Sequence, residues 1–176
     1  MRRRVMKSIV TTVATITIAA CAASDITDTG TSSAIRADLA GVGSSLVECP
    51  SSESATSSAL ITPLGGTITA GGATLVVPAG AVLEAANITV TVPASKYVEI
   101  EVSVEGVDHF VFEQPVAMTI SYARCSRNNI SFVPLTAWYI DSDTHQLLAP
   151  MVSIDNKLTR SVTFTTGHLS GYALAN

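Results

Sequence analysis

The sequence predicts an all-β protein, an antiparallel β-sandwich preceded by a signal peptide and a flexible tether. Charged residues make up only 14% of the chain while 47% is hydrophobic, and Val, Ile and Thr, which favour strands, are frequent. The segments after residue 60 alternate apolar and polar residues with a period of two, as half-buried strands do. Gly- and Pro-containing turn signals separate these segments, and no helical period lies between them.

The predicted strands can be followed in order along the chain. The Gly65-Gly66 turn precedes a strand at 67–69, and the Gly71-Gly72 turn precedes a second at 73–77. The next strands, 88–92 and 98–104, have the clearest alternation, and it places Glu99, Glu101 and Ser103 on the solvent face. The remaining segments are shorter and complete the sandwich: 109–112, 116–122, 135–140, 147–152, 161–165 and 172–174.

The first residues predict export. Arg2, Arg3, Arg4 and Lys7 form a basic start, and an uncharged run follows that is too short to span a membrane. Residues 18–21 read Ile-Ala-Ala-Cys, which resembles the bacterial lipoprotein signal, in which residues 1–20 are removed and Cys21 is acylated. Ala22 after this Cys favours the outer membrane or cell surface. The alternative is an ordinary cleaved signal peptide with an incidental Cys21.

The mature chain divides into a tether and a domain. Residues 21–59 are rich in Ser, Thr and Ala and predict mainly a flexible tether; the scattered apolar residues of 35–47 leave a short helical turn or an added strand as the alternative there. Residues 60–176 predict the sandwich domain. If Cys21 carries lipid, two of the three cysteines remain, Cys49 and Cys125. An even pair in an oxidising compartment predicts a disulfide, and the alternative is two free thiols.

Composition and motifs argue against several function classes. The net charge is -4 and becomes more negative when the basic segment is removed, so the mature chain is acidic. This argues against nucleic acid, whose binding needs Lys and Arg at the phosphates. A Gly-rich phosphate loop and a Gly-x-Ser-x-Gly nucleophile motif are both missing from the sequence. The histidines at 109, 145 and 168 form no metal-binding spacing. We therefore expect no cofactor, no metal and no nucleic acid.

Two glycine-containing turns resemble a known domain. Gly65-Gly66-Thr67, followed by the run Leu-Val-Val-Pro-Ala-Gly-Ala at 75–81, resembles the ZU-five domain. This domain is a β-sandwich module found in zonula occludens proteins, netrin receptors and ankyrins. The resemblance covers roughly residues 60–176 and implies a binding or scaffolding module whose partners differ from member to member.

The end of the chain carries a second resemblance. His168-Leu169-Ser170, after Trp138 and before Tyr172, is similar to the self-cleavage motif of the autoproteolysis-inducing domain of adhesion receptors. That resemblance implies cleavage between Leu169 and Ser170, with the Ser170 hydroxyl as nucleophile and His168 as base. The cysteines that surround the Trp in that family are missing here. The alternative is a loop His and a turn Ser before the last strand.

Together these features predict a membrane-anchored extracytoplasmic binding or structural module without turnover catalysis. Its expected partners are the membrane, through the lipid on Cys21, and a protein or glycan ligand that the sequence does not identify. The alternative function is a self-processing domain that cleaves between Leu169 and Ser170.

Overall fold

The computed structural model describes residues 44–127, 130 and 133–176, and it confirms the all-β fold. No α-helix lies in the described residues. Their strands have the following bounds: β1 Ala55–Ile61, β2 Gly66–Ala70, β3 Ala73–Val77, β4 Ala86–Val92, β5 Glu99–Val104, β6 Val111–Ser121, β7 Thr136–Ile140, β8 Leu147–Pro150, β9 Ser153–Asn156, β10 Ser161–His168 and β11 Gly171–Ala175.

The strands form two antiparallel sheets that pack as a sandwich. One sheet has six strands in the order β1-β4-β5-β11-β7-β8, and the other has five in the order β2-β3-β6-β10-β9. Alternate residues of each strand point inward, so Val90 and Ile100 of the first sheet and Leu75, Met118 and Val162 of the second are buried in one core. The last strand, β11, lies between β5 and β7 and is buried along its whole length.

The sandwich begins earlier in the chain than the sequence predicts. Strand β1, at Ala55–Ile61, pairs with β4 along its full length, so the expected boundary at residue 60 lies inside a strand. The alternation of β1 is hidden in the sequence because its inward residues before Ile61 are Ala and Ser, while Leu60 points outward. Tertiary pairing, and not a hydrophobic pattern, therefore defines this edge strand.

An upstream segment also belongs to the sandwich. Within Ser45–Cys49, the Val47 N–H donates to the Leu174 carbonyl over 2.8 Å, and the Val47 carbonyl accepts from the Val98 N–H over 3.2 Å. The chain thus enters the fold between the last strand and the start of β5. The tether predicted at 21–59 ends at or before this segment.

Two further differences concern single strands. The segments expected at 109–112 and 116–122 are one strand, β6, which contains Pro115. A proline cannot donate to a ladder, and here it lies where the ladder is interrupted: β3 pairs with β6 only over residues 117–120, and the β10 register shifts between Thr166 and His168. The short edge strand β9 is largely polar and has no sequence signal.

The two ends of the sandwich carry different features. We call the disulfide end the one where Ser45–Cys49 joins the sheet and Cys49 bonds to Cys125. The cleft end is the opposite one, where the β5–β6, β7–β8 and β10–β11 connections lie. Strand β5 runs from the disulfide end to the cleft end, and its six residues span about 20 Å.

A buried polar cluster closes the disulfide end. The Tyr122 hydroxyl donates to Asp155 over 2.7 Å, the Leu135 N–H donates to the same carboxylate over 2.8 Å, and Lys157 lies 2.7 Å from it. Burial opposes ionisation of Asp155, but these donors outweigh it and lower the pKa of its carboxyl. The cluster ties β9 to the β6–β7 connection.

Candidate functional site

A cleft of about 520 Å³ opens at the cleft end of the sandwich. It forms where the pairing of β11 with β5 ends. The two strands pair only over Glu99–Glu101, and residues 102–104 of β5 line the opening. The side chains that give it chemical character are the rings of Phe110 and Tyr139, the imidazoles of His109 and His168, and the carboxylates of Glu101 and Asp108.

The backbone of the His168-Leu169-Ser170 segment is held firmly on one side of this cleft. Leu169 and Ser170 are the two residues that connect β10 to β11. The Leu169 N–H donates to the Phe110 carbonyl over 3.1 Å, and the Val102 N–H donates to the Ser170 carbonyl over 3.1 Å. The Leu169 side chain is buried, so the peptide bond between Leu169 and Ser170 is fixed in position.

A buried hydroxyl pair supports the residue before this bond. The His168 carbonyl accepts the Tyr172 hydroxyl over 2.7 Å and the Thr166 hydroxyl over 3.1 Å, and the two hydroxyls lie 2.8 Å apart. Burial raises the pKa of Tyr172 to about 12. Tyr172 therefore remains a neutral phenol that can donate to this carbonyl throughout the physiological range.

The structure brings His168 and Ser170 to the same cleft but does not couple them. The His168 ring packs edge-on against Tyr139, with centroids 5.4 Å apart, and no hydrogen bond joins the ring to the Ser170 hydroxyl in the described structure. Within the described residues, positive φ outside glycine occurs only at His145 and Arg160. The segment thus has a fixed and accessible peptide bond without left-handed backbone strain or a paired base.

The other sequence-predicted residues lie away from the cleft. Cys49 and Cys125 form the predicted disulfide, with their Cα atoms 4.8 Å apart, at the disulfide end. The Arg160 guanidinium donates to the Cys125 carbonyl beside it. Cys21, the expected lipidation site, lies outside the described residues.

A second cavity contains a carboxylate whose environment the strand pattern predicts wrongly. Glu99 is only 6% exposed although its position in β5 predicts the solvent face. The β7–β8 connection covers it: the His145 Nε2 atom lies 3.2 Å from the Glu99 carboxylate. We call this the Glu99 cavity; it measures about 330 Å³ and shares Glu101 and Ser142 with the cleft. A period-two pattern in one strand cannot show a cover contributed by a distant connection.

Charge is separated between the two ends of the sandwich. Every Lys and Arg of the described residues lies at or beside the disulfide end: Lys96, Arg124, Arg127, Lys157 and Arg160. The connections and strand ends at the cleft end carry carboxylates and, among described residues, no Lys or Arg: Glu84, Glu101, Glu105, Asp108, Glu113, Asp141 and Asp143. The cleft is therefore surrounded by negative charge.

In the part of the chain that the structure describes, no three His, Cys, Asp or Glu side chains come together in a way that could hold a metal ion. No helix in those residues is long and apolar enough to cross a membrane.

The sequence matches no model of a protein family, and no curated protein matches it. The resemblances to the ZU-five domain and to the self-cleavage motif therefore rest on the residues quoted above.

Proposed function

We propose that this protein is a membrane-anchored extracytoplasmic binding module, a ZU-five-like sandwich that presents its cleft away from the membrane. One observation carries the proposal. The chain joins the sandwich at the disulfide end beside Val98, whereas the cleft opens along residues 101–104, about 10 to 20 Å farther along β5. An anchor upstream of residue 45 would hold the first end near the membrane and leave the second free to meet a ligand.

Two features of the disulfide end support this orientation. A disulfide between Cys49 and Cys125 is stable in the oxidising compartments outside the cytoplasm. Lys96 and Lys157 of this end are paired with Glu48 and Asp155, and the exposed Arg127 would be attracted to anionic lipid headgroups. The acidic cleft end would be repelled by the same surface.

The cleft has the size and lining of a ligand site. Its volume of about 520 Å³ falls in the usual range for small-molecule and peptide-side-chain pockets. Rings from Phe110 and Tyr139 offer apolar contact, and Ser142 and Ser170 offer hydroxyls for orientation. These groups suit a protein segment or a glycan of the cell envelope.

The anchor can be tested on the full chain in a bacterial host. Wild-type protein should incorporate labelled palmitate and sediment with the membranes, and Cys21→Ser should do neither because it removes the acylated thiol. Ala22→Ser is the matched control, since it introduces the same residue and retains Cys21. Membrane retention of Cys21→Ser, or a wild type without label, would refute lipid anchoring.

A second candidate function is self-processing between Leu169 and Ser170, favoured by the fixed position of that bond on the cleft. The Ser170 hydroxyl would add to the Leu169 carbonyl carbon while His168 accepts its proton. The intermediate would then collapse: His168 would return the proton to the Ser170 nitrogen, the amide bond would break, and an ester and a free amine would remain. Water would hydrolyse the ester to a Leu169 carboxylate and the Ser170 hydroxyl. Strand β11 would stay in the sheet because it pairs with both neighbours.

The two functions differ in a denatured intact mass. Self-processing predicts a chain shortened by the heptapeptide 170–176, which Ser170→Ala should restore to full length. A wild-type mass equal to that of an unprocessed chain would eliminate this candidate. The result is independent of the palmitate experiment.

A further inference from the structure

One close polar contact reaches the Glu99 carboxylate among the described residues: the His145 Nε2 atom, 3.2 Å from it. The nearby Arg124 guanidinium donates instead to the carbonyls of Pro50, Ser95 and Tyr97. A carboxylate has several acceptor positions, so one that is 6% exposed can still take a further donor that reaches it through a cavity. The cavity beside it leaves room for such a donor.

The surroundings of Glu99 specify the charge of that donor. The Glu99 cavity joins the cleft through the shared residues Glu101 and Ser142, and Asp108 lies farther along the cleft. Among the described residues, the cleft end has no Lys or Arg to receive an anion. At the cleft an anionic ligand would meet carboxylates and no Lys or Arg of the described residues, whereas a cation would meet carboxylates from Asp108 and Glu101 to Glu99.

The same residues argue for an organic cation. A metal ion would need several ligating side chains in one place, and the described residues bring no such group together. A primary ammonium group has three donors for carboxylate oxygens. Its methylene chain could lie against Phe110 and Tyr139, which line the cleft, and aromatic faces also attract the cation itself.

We propose that the cleft and the Glu99 cavity together bind a ligand with primary ammonium groups on a flexible carbon chain, as in a lysine side chain or a polyamine. One ammonium group contacts Glu99, and a second lies near Glu101 and Asp108. The inference rests on the proposed function in one respect, that the cleft is a ligand site, and it adds the class of ligand.

Binding can be measured by calorimetry on the purified full chain in detergent. Spermidine and trilysine should bind, while trialanine and triglutamate should not, and added salt should weaken binding because the charges are partly exposed. Binding of spermidine alone would support a free polyamine as the source, and binding of trilysine alone would support a lysine side chain of a peptide. Failure of both cations to bind would overturn the proposal.

Carboxylate variants locate the binding. Glu101→Gln and Asp108→Asn should each weaken binding by roughly two- to five-fold, as for an exposed charge pair, and Glu99→Gln by about ten-fold or more, because a buried charged hydrogen bond is stronger. Glu53→Gln is the matched control: it removes one exposed carboxylate outside the cleft. Equal weakening by Glu53→Gln would show non-specific attraction and refute the assignment.

The two exposed variants keep the test valid if Glu99→Gln does not fold. The outcome is also separable from that of the anchor. Palmitate on Cys21 without cation binding would refute this inference and leave the anchored module intact. Cation binding without palmitate would refute the anchor and support the site.

Discussion

The disulfide between Cys49 and Cys125 sets a large and calculable part of the stability. Its half-cystines are separated by 76 residues, so in the chain-entropy model the cross-link removes about 4.5 kcal/mol of conformational freedom from the unfolded chain at 25 °C. Cys49→Ala combined with Cys125→Ala should lower the free energy of unfolding by about 3 to 5 kcal/mol. Such a loss is comparable to the total stability of many small domains.

Urea unfolding of the full chain measures this loss, with the oxidised wild type and the double variant compared at the same pH. Reductant should destabilise the wild type by a similar amount and leave the double variant unchanged, which separates the cross-link from any effect of the substitutions. Hydrogen exchange at the Val47 N–H, which donates to the Leu174 carbonyl over 2.8 Å, reports whether the Ser45–Cys49 segment stays paired. A loss below about 1 kcal/mol would refute the entropic reasoning.

Two further predictions concern stability. Folding lowers the pKa of Asp155 below its ordinary 3.8, so its carboxylate stabilises the fold above that pH and loses this effect as the pH falls through the lower folded value. In urea unfolding measured at a series of pH values, Asp155→Asn should therefore reduce the loss of stability at acid pH. An unchanged loss would contradict this. Gly65 has φ +78° and a side chain there would meet the Val77 carbonyl oxygen at 2.3 Å, whereas Gly106 has φ +73° and open space. Gly65→Ala should therefore cost more than the strain of about 1 kcal/mol expected for Gly106→Ala, and equal thermal shifts would refute the clash.

Most strands could be predicted because their local pattern and their burial agree. In β5, for example, Ile100, Val102 and Val104 alternate with outward residues and are the ones that the core buries. The prediction is wrong where burial has another cause. The inward residues of β1 before Ile61 are small, so no apolar alternation marks it, and its pairing with β4 decides the structure.

The candidate site could be predicted only in part, for the same reason. The sequence places His168-Leu169-Ser170 between the last two strands, and the structure confirms that position. The sequence does not show that the carbonyl of Phe110, some sixty residues upstream in the chain, accepts the Leu169 N–H. The alternation of β5 places Glu99 at the solvent face and is wrong there, because the β7–β8 connection covers this side chain. The alternation of apolar and polar residues within one strand carries no information about contacts with distant segments.

The separation of charge depends on counting the strands correctly. Connections between consecutive antiparallel strands lie at alternating ends, and this holds here from β5 to β8. Strands β8 and β9 run in the same direction, so the alternation does not continue through them to the β10–β11 connection. Dividing β6 into two strands at Pro115, as the sequence suggests, would move the 141–146 connection to the disulfide end. The uninterrupted β6 brings the acidic connections 105–110 and 141–146 to the same end as the cleft. The acidic residues around the cleft are therefore brought together by the topology. A ligand that binds them recognises the folded surface and not a linear sequence motif.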